Sequence, residues 1–70
     1  MKMSVSDVIE VTRKFLKNEA GYNDVRFSSV EAIEPDSKWK AIATVEELPP
    51  NRKELIVDDR DGKIISYKQI

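Results

Sequence analysis

The chain of 70 residues has no cysteine and no histidine. Without cysteine there is no disulfide to support a small core and no thiolate to act as nucleophile or zinc ligand. Without histidine the commonest general base and the commonest metal ligand are both missing. Glycine occurs only twice, at Gly21 and Gly62, too seldom for a glycine-rich phosphate loop. Neither sign of charge prevails, with 12 Lys and Arg against 13 Asp and Glu. A nucleic-acid or anionic-membrane surface needs clustered positive charge, and the mixed signs exclude both as expected partners. No apolar run approaches membrane-spanning length, and Met1-Lys2-Met3-Ser4 has no apolar signal segment. The expected compartment is the cytoplasm, and no cofactor or metal is expected.

What remains is enough for one small domain, near the lower size at which a lone hydrophobic core is stable. Val5, Val8, Ile9, Thr12, Phe15 and Leu16 recur at the spacing of one helical face. Ser4 stands as N-cap, with Asp7 in the place of a capping-box acid. Arg13, Lys14 and Lys17 suit the negative end of the helix dipole, and Gly21 fits a left-handed stop. A helix is therefore expected over about 5–20.

Four strands follow, expected over about 24–33, 38–46, 54–59 and 63–68. Val25 and Phe27 alternate, slip at Ser28-Ser29, and resume with Val30, which a bulge would return to the buried face. Glu34-Pro35-Asp36-Ser37 is a turn by composition. Trp39, Ala41, Ala43 and Val45 then share one face, and the two alanines would let a helix approach closely. The stretch from Glu47 to Lys53, with Pro49-Pro50, is expected as connection and not as strand.

Asp61-Gly62, between two β-branched runs, is a strong hairpin signal. A three-residue loop of Arg60, Asp61 and Gly62, with Gly62 as a left-handed bulge, predicts Asp59 opposite Lys63, Val57 opposite Ile65 and Leu55 opposite Tyr67. A four-residue loop would shift that register by one. The bulged register sorts apolar from polar side chains better and is adopted. It leaves Ile42, Ile56 and Ile64 on the face away from the helix, beside Ser66 and Lys68. The fold expected is α+β, one N-terminal helix packed on one face of a four-stranded antiparallel meander.

The order of motifs from Trp39 onward is familiar. A Trp opening an alternating strand, Val45-Glu46-Glu47, a Pro/Arg connection, a run to Asp58, then Asp61-Gly62-Lys63-Ile64 and Tyr67 together resemble the folded module of the gas vesicle protein O family. More loosely, the chain is similar to small PepSY-type domains, in which a helix precedes a sheet ending in an Asp-Gly hairpin. The resemblance spans roughly residues 21 to 68. Trp39, Glu46, Asp58, Gly62 and Tyr67 match by position, and the resemblance implies structural and not catalytic roles for them.

Candidate chemistry is thin. Setting Gly62 at the sixth place of a calcium loop makes Val57 the first ligand and Lys68 the last, and both ends fail. A pair drawn from Glu46, Glu47, Glu54 and Asp58 would need a concave site to separate two pKa values. Ser28 and Ser29 have no histidine to activate them. The expectation is a non-enzymatic protein-interaction module acting through the open sheet face and the C-terminal edge strand. Its interface residues would be Ile42, Ile56, Ile64, Ser66 and Lys68, and its partner another protein or a second copy in a homodimer. The alternative is a PepSY- or cystatin-like inhibitor or modulator of a peptidase.

Overall fold

The computed structural model describes residues 2–34, 36–45 and 50–70. Helix α1 (Val5–Asn18) precedes strands β1 (Val25–Ile33), β2 (Lys38–Val45), β3 (Asn51–Asp58) and β4 (Ile64–Gln69). The strands form one antiparallel sheet in the order β1-β2-β3-β4. The helix packs on one face of that sheet, so the α+β meander is as expected. Pro35 of the first turn, and Glu46, Glu47 and Pro49 of the second connection, lie outside the described residues.

The helix starts where its cap predicts. The Asp7 amide donates to Ser4 Oγ at 3.2 Å, and the Ser4 amide donates back to Asp7 Oδ2 at 3.0 Å. It ends at Asn18, two residues before the expected bound, with Glu19 as C-cap. Gly21 takes the left-handed conformation at φ +79°, and the Tyr22 amide returns to the Leu16 carbonyl at 2.8 Å. The bulge in β1 also falls where the broken alternation put it. The register shifts between Phe27 and Ser29, so Val30 pairs with Ala41 and packs against the core.

The core is a stripe one helix wide. Val8, Thr12 and Leu16 of α1 are buried over Trp39, Ala41 and Ala43 of β2 and Leu55 and Val57 of β3, and Val45 is buried at the end of β2. The alanines have no exposed surface, which is the condition for a helix lying close over the middle of the sheet. Thr12 is polar in an apolar place. Its Oγ1 donates to the Val8 carbonyl at 2.7 Å and the Ile9 carbonyl at 3.1 Å, so the hydroxyl is not left unpaired.

Two expectations need correction. β3 begins at Asn51, and Asn51, Arg52 and Lys53 pair with Val45, Thr44 and Ala43. The strand thus reaches back into the segment assigned to connection, and the prolines stop just short of it. Lys53 falls on the helix face and is buried. Its stem lies on the sheet, its ammonium sits 5.8 Å and 6.0 Å from the Tyr22 and Tyr67 ring centres, and Nζ donates to Gln69 Oε1 at 3.2 Å.

The second correction concerns the hairpin. Asp58, not Asp59, meets Lys63: the Asp58 amide donates to the Lys63 carbonyl at 2.9 Å, and the Gly62 amide to the Asp58 carbonyl at 2.8 Å. The loop therefore has four residues, Asp59 to Gly62, and Val57 pairs with Ile64. A bulge in β4 at Ile65 then absorbs one residue. From Ile56 opposite Ser66 and Leu55 opposite Tyr67 onward, the pairing is the expected one. The loop is longer because Asp59 leaves the ladder, its amide donating to the Ser37 carbonyl at 2.9 Å. Gly62 keeps its expected left-handed backbone at φ +73°.

Ala43→Leu should overpack the floor under the helix and cost about 1–3 kcal/mol, a large share of the stability of so small a domain. An unchanged denaturant midpoint would contradict the burial of that face. Gly62→Val should cost roughly 1 kcal/mol or more, because a β-branched side chain is strained at positive φ. A midpoint that rises in Gly62→Val would rule out the turn geometry.

Candidate functional site

The face away from the helix is built from alternate residues of the four strands. Across it the pairs Glu31–Lys40, Lys40–Ile56 and Ile56–Ser66 form one row. The pairs Ser29–Ile42, Ile42–Glu54 and Glu54–Lys68 form the next. Ile42 and Ile56 are thus diagonal neighbours, and both are half-buried. Lys40 and Glu54 hold the opposite diagonal.

Those charges are joined. Lys40 Nζ lies 3.5 Å from Glu31 and 3.8 Å from Glu54, and Lys68 Nζ lies 3.2 Å from Glu54. A chain of alternating sign crosses every strand of the sheet. Each exposed pair contributes little stability alone. Together they break the apolar surface into separate isoleucines.

Ile64, expected beside Ile42 and Ile56, does not lie with them. The four-residue loop turns it to the helix side, where it packs against the core. Of the residues expected at an interface, Ile42, Ile56, Ser66 and Lys68 share the open face and Ile64 does not. Ile65 takes the outward place instead. Ile64 and Tyr67 both face the helix, the Tyr67 ring meeting Phe15 edge-on at 5.3 Å. Alternation across the bulge leaves Ile65 and Ser66 between them on the open side.

β4 is also a sheet edge. Among the described residues the exposed large hydrophobic side chains are Val5, Ile65, Tyr67 and Ile70, at 48, 50, 37 and 52%. Three of these four belong to the edge strand or the residue after it. The ladder continues past the strand, with the Ile70 amide donating to the Arg52 carbonyl at 3.0 Å. Such an edge offers the pattern used in strand addition, namely backbone groups along a line with apolar side chains beside it.

A concave region of about 400 Å³ lies between the start of the helix and the β3–β4 loop. Lys2, Met3, Asp7, Glu10 and Val11 line one side, and Asp59 to Gly62 the other. Its inner wall is Asp59, a residue only 3% exposed. Trp39 Nε1 donates to Oδ1 at 2.7 Å, the Met3 amide to Oδ1 at 2.9 Å, and the Lys2 amide to Oδ2 at 2.6 Å. Burial by itself pushes this acid up. The hydrogen bonds from Trp39, Lys2 and Met3 outweigh it and bring the carboxyl down to about 2.

The neighbouring carboxylates are engaged as well. Arg60 binds Asp58 through Nε at 3.2 Å and Nη2 at 3.1 Å, and these hydrogen bonds hold Asp58 below its usual range. Asp61 Oδ1 accepts the Lys63 amide at 3.0 Å. Among the described residues no three acidic, histidine or cysteine side chains gather as a metal site would require. Glu46 and Glu47, considered as partners of Glu54 or Asp58, lie outside the described residues. Ser28 and Ser29 are exposed on β1.

Asp59 was not singled out from the sequence as a buried ligand of Trp39. The signal was available: Leu55, Val57 and Asp59 share one parity, so a carboxylate stands at the end of an apolar stripe and requires donors. No family model, no curated protein and no solved structure matches this chain.

The Asp59 carboxyl is lower in the folded chain than when unfolded. Its contribution to stability is therefore complete above roughly pH 4 and is lost as the pH falls towards 2. Acid unfolding followed by circular dichroism should fall in that window. Trp39→Phe removes one of the hydrogen bonds that hold this acid down and should move the transition to higher pH. An acid midpoint that does not move would show that Asp59 does not govern it.

Proposed function

We propose that this chain is a non-catalytic protein-interaction module of the cytoplasm that receives an extended segment of a partner protein, a second copy included, along strand β4. One observation carries the reading: the exposed large apolar side chains concentrate at an open sheet edge, as Ile65, Tyr67 and Ile70. Natural edges are shielded by charge, proline or bulges. Here Lys63 and Lys68 are the only charges between Gly62 and Ile70, and the bulge brings an isoleucine outward.

The open face contributes as a flank. Ser66 and Lys68 adjoin the edge, while Ile42 and Ile56 lie inward among joined charges. The non-catalytic part of the reading is supported by the side chains themselves. The chain has no histidine or cysteine, and Asp58, Asp59 and Asp61 are each engaged by donors within the fold. The resemblance to the vesicle-protein module rests on motifs whose implied roles are structural and not catalytic. No helix among the described residues is long and apolar enough to cross a membrane.

Replacing Ile65 and Ile70 together by Lys should leave the circular dichroism spectrum intact and abolish association. Sedimentation velocity would read self-association, and a photo-crosslinker at position 66, which neither substitution touches, would read a partner. Ile42→Lys, inside the charge chain, should have the smaller effect. A wild-type chain that stays monomeric at high concentration, and crosslinks equally after the double substitution, would sink the proposal.

A further inference from the structure

The contact between Asp59 and the residues ahead of the helix can be released without breaking the helix cap or a sheet ladder, because Trp39 and Ser37 hold Asp59 as well. The helix start closes on itself through Ser4 and Asp7. The β2–β3 and β3–β4 ladders are paired without it. Lys2 and Met3 are joined to Asp59 through main-chain amides, and the Met3 side chain lies near Val11 and Gly62. Other charged groups facing this cleft are Asp7 and Glu10 of the helix and Arg60 and Asp61 of the loop.

We propose that Lys2 and Met3 form a strap that opens as a local unit, with Asp59 as its latch, while the helix and the sheet stay folded. Opening would uncover the Asp59 carboxylate and the Trp39 indole edge and widen the cleft at the foot of the edge strand. A buried carboxylate must keep its donors or meet water. The cleft already reaches the surface, so water can replace the two amides when the strap leaves. Local openings of this kind draw on few buried contacts and lie below the global unfolding free energy. The strap is independent of what binds β4.

The test uses the lone tryptophan. A Lys2→Pro, Met3→Pro double variant deletes both amide donors, and Met3→Ala, which keeps its amide, controls for the loss of a side chain that packs against the core. Acrylamide quenching of Trp39 should rise severalfold, and Asp59 should titrate nearer its ordinary range, while hydrogen exchange of the β2 and β3 amides stays slow. In the wild-type chain, the Trp39 indole proton should exchange faster than those amides. Unchanged quenching would overturn the latch. Loss of β2 and β3 protection in the variant, or an indole proton as slow as the sheet in the wild type, would overturn the independence of the strap.

Discussion

The capture of Asp59 governs the geometry of the whole C-terminal half. Its side chain accepts from Trp39 of β2 and from Lys2 and Met3, and its amide donates to Ser37 in the first turn. A residue held in this way cannot also sit opposite Lys63 in a hairpin ladder. Asp58 takes that place, the loop grows to four residues, and Ile64 turns inward. The bulge at Ile65 then restores the register that Leu55 and Tyr67 need to face the helix. One buried carboxylate thus decides which isoleucine is buried and which is presented at the edge.

The apolar stripe of β3 ends in a charge on both sides, Lys53 within the strand and Asp59 just past it, and both are buried. Each is satisfied in its own way. The lysine keeps a flexible stem on the sheet and its ammonium near two tyrosine rings and Gln69. The aspartate is held by donors from three directions. A domain with so short a helix has little apolar area to spare. Ending the stripe with satisfied charges closes the core at both ends and fixes how far along the sheet the helix can lie.

Much of this was legible in the chain. The helix with its Ser4–Asp7 cap, the bulge beside Ser28, the alanine floor and the meander order all follow from periodicity and turn chemistry. What alternation cannot reveal is a long-range claim on a single residue. Asp59 and Trp39 are 20 residues apart, and the donors on Lys2 and Met3 lie more than 50 residues away. Local sorting of apolar from polar favoured the three-residue loop, and by that criterion alone it was the better register. The start of β3 is hidden in the sequence for a related reason. Lysine after two prolines reads as connection until two tyrosines and a glutamine are found to house it.

The shift from Ile64 to Ile65 also changes the kind of surface that the protein offers. Three isoleucines together on a flat face would favour face-to-face stacking, which buries side chains and uses no backbone groups. The charge chain from Glu31 to Lys68 opposes that mode, since stacking would desolvate the pairs at a cost their attraction does not repay. An outward isoleucine at a bulged edge, next to Tyr67 and Ile70, favours lateral addition instead. There the incoming backbone supplies hydrogen bonds, the side chains beside it supply apolar contact, and Glu54 and Lys68 can stay in water. The bulge also limits how far such addition can run, because pairing on the outer side must break step at Ile65. A short segment suits this edge better than a long one.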